Sequence, residues 1–141
     1  MNERINALIN SLSEEGNAFI EDENYSKAIL VFEKALALIP EPIEDSSMAT
    51  WLLVAIGDSY FLQENYLKSL KYMNHAVACR DGLGNPFIHF RLGQLNYELE
   101  NYERAKDELI RVYMLDEMAL FRNADVKYFD FLRSNVDLRE R

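Results

Sequence analysis

The stretch Gly16–Pro40, GNAFIEDENYSKAILVFEKALALIP, carries a pattern that returns twice more along the chain. Its tyrosine lies nine residues after its glycine and closes the tripeptide Glu23-Asn24-Tyr25. The same tripeptide recurs as Glu64-Asn65-Tyr66 behind Gly57 and as Glu100-Asn101-Tyr102 behind Gly93. The tyrosines stand 41 and 36 residues apart, a period that marks a stacked helical array and not the core of a single enzyme.

Alignment on the glycines shows what recurs. The first copy places Phe19, Tyr25, Ala28, Phe32, Ala35 and Pro40 at offsets 3, 9, 12, 16, 19 and 24. The second gives Tyr60, Tyr66, Ser69, Met73 and Ala76; the third gives Asn96, Tyr102, Ala105, Leu109 and Val112, with no closing proline. These are helical intervals on both sides of Glu-Asn-Tyr, so each unit is expected to be a pair of helices. Small residues at the glycine and alanine offsets let two helix backbones approach, while the large residue between them fills the adjoining groove. The asparagine before each tyrosine suits an N-cap, whose side-chain oxygen accepts from an orphan amide of the first turn.

These residues resemble the tetratricopeptide repeat, a unit of about 34 residues, over roughly residues 9 to 115. The resemblance implies an all-α chain, a right-handed superhelical stack of three helix-turn-helix repeats with a C-terminal capping helix. Repeat 1 is expected at about 3–40, repeat 2 at about 46–80, repeat 3 at about 86–115 and the cap within 116–141, all in a single domain over 1–141. Helices are expected at about 3–22, 25–39, 46–63, 66–79, 87–99, 102–115 and 125–138. The last rests on Val126, Phe129, Leu132 and Val136, widened by Tyr128 and Phe131. Glutamate stands where the family usually has glycine before the asparagine, and the extra inter-unit residues map to loops around Glu41–Ser47 and Arg80–Asn85.

The formal charge of −9 disfavours nucleic acid as a partner, because phosphates require Lys and Arg to displace their counterions. No apolar run spans a bilayer, and Met1–Leu12 is amphipathic rather than a continuous apolar leader. The one cysteine, Cys79, provides no internal disulfide framework and fits a reducing cytoplasm. A catalytic or metal site needs converging groups. His75 and Cys79, four apart, make neither a zinc site nor a triad. His89 is expected to be a packing residue, and Gly82–Pro86 lacks the Lys-Ser/Thr of a phosphate loop. The expectation is therefore a non-enzymatic chain without metal or cofactor.

What remains is a surface. In the family that the repeats resemble, the first helix of each pair lines a groove for peptides or protein segments. The matching positions here include Asn17, then Trp51, Val54, Asp58 and Phe61, then Phe87, Phe90, Arg91, Gln94 and Tyr97. Members that grip a terminal carboxylate need lysines that are absent here; only Asn17 and Arg91 match, with Ser13, Ala55 and Phe87 at the other places. An aromatic groove suits an apolar segment of a partner, with Trp51, Phe87, Phe90 and Tyr97 as anchors and Arg91 and Asp58 setting orientation. Alternatively the final helix folds back and the same aromatics form internal core; contact of Phe129 and Leu132 with them distinguishes the two. The run Gly82–His89 followed by Arg91-Leu92-Gly93-Gln94 is similar to that of small stand-alone bacterial repeat proteins, some of which resemble immunity proteins of toxin systems. That resemblance implies a cytoplasmic protein that binds and inhibits a toxin or effector, its acidic surface occluding a basic domain. The alternative is a secretion-type chaperone or adapter that holds an apolar segment in the groove.

Overall fold

The computed structural model describes residues 3–138, and among these residues the regular structure is entirely helical. Helices α1 (Glu3–Glu21), α2 (Tyr25–Ala37), α3 (Ser47–Leu62), α4 (Tyr66–Val77), α5 (Pro86–Glu98) and α6 (Tyr102–Met114) form the three expected pairs. Two further helices follow, α7 (Met118–Arg122) and α8 (Val126–Asn135). The backbone groups into two compact units divided in sequence between Leu83 and Gly84, the first holding repeats 1 and 2 and the second holding repeat 3 with α7 and α8.

The recurring tripeptide builds the corner inside each pair. Glu23, Glu64 and Glu100 adopt left-handed backbone, with φ of 57°, 60° and 64°. At each corner the asparagine amide donates to a carbonyl five residues back, Asn24 to Phe19 at 2.8 Å, Asn65 to Tyr60 at 2.9 Å and Asn101 to Asn96 at 2.8 Å. The glutamate amide donates three residues back, as Glu23 does to Ile20 at 2.9 Å. The first helix thus ends in a Schellman motif, and the same asparagine opens the next helix. Asn24 and Asn65 accept from the amides of Lys27 and Lys68 at 3.4 Å, whereas Asn101 makes no side-chain cap bond. A fourth corner follows α6, where Asp116 has φ of 63° and Glu117 donates to Val112, although its sequence, Asp116-Glu117-Met118, shares nothing with the tripeptide.

The offset residues pack as their sizes require. In the first unit Phe32 is fully buried among Ile9, Ala28, Ala35, Leu52 and Ile56. Gly16 sits against its ring so closely that an added Cβ would lie 2.6 Å from Cζ. Ser69 takes the small-residue place in repeat 2 without orphaning its hydroxyl, which donates to the Gly57 carbonyl at 2.6 Å. The longer link before α3 is pinned by the chain that follows α4: Arg80 donates its amide to Glu44 at 2.8 Å and Thr50 donates to the Arg80 carbonyl at 2.7 Å.

In the second unit Leu109, Val112, Phe121, Tyr128 and Leu132 are buried together with Phe90. The sequence places Val126 on the inner face of the last helix, but the structure leaves it 64% exposed. α8 opens at Val126 with Asp125 as N-cap, so the inward stripe begins two residues later with Tyr128 and continues through Phe131 and Leu132. Val136 lies just past the end of α8, packed against the same cluster.

Candidate functional site

α3 has one charged residue, Asp58, and is apolar on nearly every side. A helix of that kind ordinarily lies buried all round. Here Leu52, Leu53 and Ile56 are buried, while Trp51 on another face is 46% exposed and Val54 and Ala55 are half-buried. The Trp51 indole stands edge-on to Phe32, with ring centroids 5.8 Å apart, so core packing fixes the base of a side chain whose far edge meets solvent.

Two adjoining depressions flank Trp51. One, of about 360 Å³, lies between Ile9, Asn10, Ser13, Glu14 and Asn17 of α1 and Met48, Trp51 and Leu52 of α3. The other, of about 200 Å³, is lined by Asn17, Ile20, Trp51, Val54, Ala55 and Asp58, with Phe32 beneath. Asn17 and Trp51 border both, so the two depressions form one groove along α1 and α3. Four of the sequence-predicted site residues, Asn17, Trp51, Val54 and Asp58, therefore come together. Phe61 stands apart from them, half-buried against Tyr66 at 5.5 Å. Met48, Leu52 and Ile9 are groove residues that the family offsets do not name; Met48 and Leu52 sit within one turn of Trp51, and that helical spacing is the signal that identifies them.

The third repeat is built differently. Phe90 and Gln94 are each 3% exposed. Phe90 lies between Phe121, at 5.1 Å, and Tyr128, at 6.5 Å. Tyr97 packs on Tyr128 at 5.4 Å and Phe131 at 5.2 Å. Phe129 and Leu132 belong to the same cluster, so these aromatics are internal core of the second unit, and Phe90 and Gln94 offer no surface to a partner. Phe87 is half-buried with the Arg91 guanidinium 5.0 Å above its ring, and Arg91 donates to Gln94 at 2.7 Å.

The histidines and the thiol also find places. His89 packs as expected, yet it is not merely a filler: its Nδ1 lies 2.9 Å from the Glu108 carboxylate, and both side chains are buried. His75 Nε2 lies 2.8 Å from Glu44, and this hydrogen bond holds the Glu44 carboxyl below the usual carboxylate range. Cys79 lies beyond the end of α4, donates to the His75 carbonyl and has its thiol pushed up chiefly by burial, with Glu44 adding to the effect. Among the described residues no helix is long and apolar enough to cross a membrane.

Charge is sorted by helix. Residues 1–83 hold 6 Lys and Arg against 13 Asp and Glu, whereas residues 84–141 hold 9 against 11. In the first unit Lys27 and Lys34 lie on α2 and Lys68 and Lys71 on α4. α1 carries Glu3, Glu14, Glu15 and Glu21 with Arg4 in its first turn as its sole cation, and α3 carries none. The groove is therefore walled by the acidic helices of the unit, and the lysines occupy the second helices.

Comparison with known proteins agrees with this geometry. Residues 9–42 and 88–117 match the family described as Tetratricopeptide repeat. No curated protein matches the chain significantly. Among solved structures, the TPR domain of Arabidopsis FLU superposes with a TM-score of 0.71 at 19% identity, covering 81% of this chain and 98% of that one. Two segments of this chain are thus similar to tetratricopeptide repeats, and its fold is that of a TPR domain.

Proposed function

We propose that the protein works by binding a protein partner in the groove between α1 and α3, without catalysis of its own. The exposed edge of Trp51 carries this reading. It is a large aromatic anchored from below by Phe32, bordered by two depressions and set in an otherwise apolar helix, the form that interface hot spots take. The specific role that best suits a compact acidic binder is inhibition of a cognate toxin or effector in the bacterial cytoplasm, in the manner of an immunity protein. A second reading, a chaperone or adapter that holds an apolar segment, draws on the apolar lining of the same groove.

Co-expression with the product of the neighbouring gene tests the specific role: an immunity protein rescues growth and co-purifies with that product. If the neighbour is harmless and does not bind, the immunity reading fails. The groove itself is tested by Trp51→Ala and Asn17→Trp. Removing the indole is expected to weaken the partner by about 30-fold or more. Asn17 is exposed and borders both depressions, so its replacement by tryptophan is expected to block them with helicity unchanged. Undiminished binding by both variants would place the interface elsewhere.

A further inference from the structure

We propose that the outer face of α8, in the second unit, docks a second copy of this chain, the two helices running antiparallel across Phe129. This surface shares no residue with the α1–α3 groove. The last helix of a repeat array ordinarily turns a polar face to water. Here Val126 is largely exposed, and Phe129 is half-buried between two depressions that it borders on both sides. One, of about 430 Å³, is lined by Tyr113, Phe129, Val136 and Leu138 together with Arg133 and Asp137. The other, of about 250 Å³, is lined by Met118, Phe121, Ala124, Val126 and Phe129 together with Arg122. Phe121 and Tyr113 pack against the Phe129 ring at 5.4 and 6.4 Å, which holds it at the surface.

Charge selects the occupant. Read from the smaller depression to the larger, with the N-cap Asp125 beside Val126, the order along the face is Arg122, Asp125, Phe129, Arg133, Asp137. The signs alternate and are equal in number, although the whole chain carries −9. A partner of single sign would meet like charge at two of the four positions, and a parallel copy would set like on like. Reversed, the same order is its own complement: Asp125 of each copy faces Arg133 of the other, the isologous arrangement of a two-fold dimer. The reversal also sets Val126 of each copy over the larger depression of the other. None of these groups has to be unpaired beforehand. Arg133 donates to Asp130 at 3.1 Å, but that exposed pair is worth little alone, and a guanidinium has five donors. α8 has 10 residues and so extends about 15 Å, which puts the dimer in the weak class of interfaces.

Sedimentation velocity of the full chain, from about 1 to 500 μM, tests the proposal across the range of weak association. The 16.5 kDa monomer is expected to pass reversibly into a dimer as concentration rises. Val126→Glu places a carboxylate at an exposed position in the first turn of α8, where helicity is kept, and should weaken association about tenfold or more. Leu67→Glu, the same change at an exposed leucine of α4, should alter it less than about twofold. Arg133→Asp should weaken association about fivefold or more, and Arg104→Asp, an equal change of net charge outside both depressions, less than about twofold. A monomer throughout overturns the proposal and leaves the face to a different protein. A dimer that tolerates Val126→Glu, or that Leu67→Glu weakens as much, lies elsewhere and overturns it too. Equal losses from the two arginine variants overturn the antiparallel pairing on which the choice of a second copy rests.

Discussion

Replacing the three repeat glycines by alanine should separate two effects that act in opposite directions. Each glycine lies inside a helix, where alanine is favoured by about 1 kcal/mol. Space decides whether that gain survives. At Gly16 the new methyl would stand 2.6 Å from Phe32 Cζ and 2.7 Å from Cδ1, inside the 3.4 Å at which ordinary contact begins. The ring is fully buried and braced by Trp51, so it cannot swing away. At Gly93 the methyl would meet Leu109 Cγ at 2.7 Å, an atom that side-chain rotation at the terminal methyls does not remove. Overpacking of this order costs about 1 to 3 kcal/mol, so Gly16→Ala and Gly93→Ala lose the helix gain and end up to roughly 2 kcal/mol less stable. Gly57 differs, because its neighbour at 3.0 Å is the Met73 terminal methyl, the mobile end of a flexible chain. Gly57→Ala should be neutral or stabilising by up to about 1 kcal/mol. Urea titration monitored by circular dichroism, with Trp51 emission for the first unit, reads the order; 1.5 kcal/mol moves the midpoint by about 0.7 M at a slope of about 2 kcal/mol per molar. In a Phe32→Leu background the Gly16→Ala penalty should shrink by half or more. If all three variants gained stability alike, the close-approach argument would be refuted.

Other perturbations have signs fixed by the structure. Glycine at the left-handed positions Glu23, Glu64 or Glu100 removes a backbone cost of about 1 to 2 kcal/mol and returns part of it as unfolded-state entropy, so each variant should gain roughly 0.5 to 1 kcal/mol; melting below the parent would contradict the corner geometry. Glu44 has a folded pKa held below its ordinary 4.5 by the His75 hydrogen bond. Its contribution is thus present above pH 4.5 and lost as pH falls through the lowered value, so Glu44→Gln should show a shallower loss of urea midpoint on acidification; parallel profiles would remove the pair from the account. Burial and a raised pKa should slow iodoacetamide reaction at Cys79 about tenfold or more at pH 8 relative to the urea-unfolded chain, and equal rates would refute its placement.

The helical pairs were legible because their determinants are local and repeated. Gly16, Phe32 and Ala35 announce a close contact wherever they recur at those offsets, and Asn24 and Asn65 announce the start of a helix. The corner itself was half legible: the asparagine was readable as a cap, but a glutamate at φ near 60° violates residue preference, and its one trace is that the family it resembles usually has glycine there. The fourth corner, at Asp116, lacks even the asparagine, so the short α7 escaped the pattern. Within the site, Trp51 and Asn17 were found by family offset alone. Offsets could not show that Phe90 lies beneath the C-terminal helices, because that depends on where α7 and α8 return. Nor could they pair His89 with Glu108, which face each other across two helices 19 residues apart.

The sorting of charge in residues 1–83 also bears on how fast a partner arrives. Among the helices of this unit the acids gather on α1, while Lys27 and Lys34 of α2 and Lys68 and Lys71 of α4 offset the negative charge there, so a cationic segment would be drawn toward the α1 side. At physiological salt such fields reach about 8 Å, far enough to turn an incoming chain before contact. Steering of this kind raises association rates by roughly 10- to 1000-fold and fades as salt is added. The residence time would then rest with the Trp51 indole, so that encounter and retention could be altered independently by changing acids or by changing the ring.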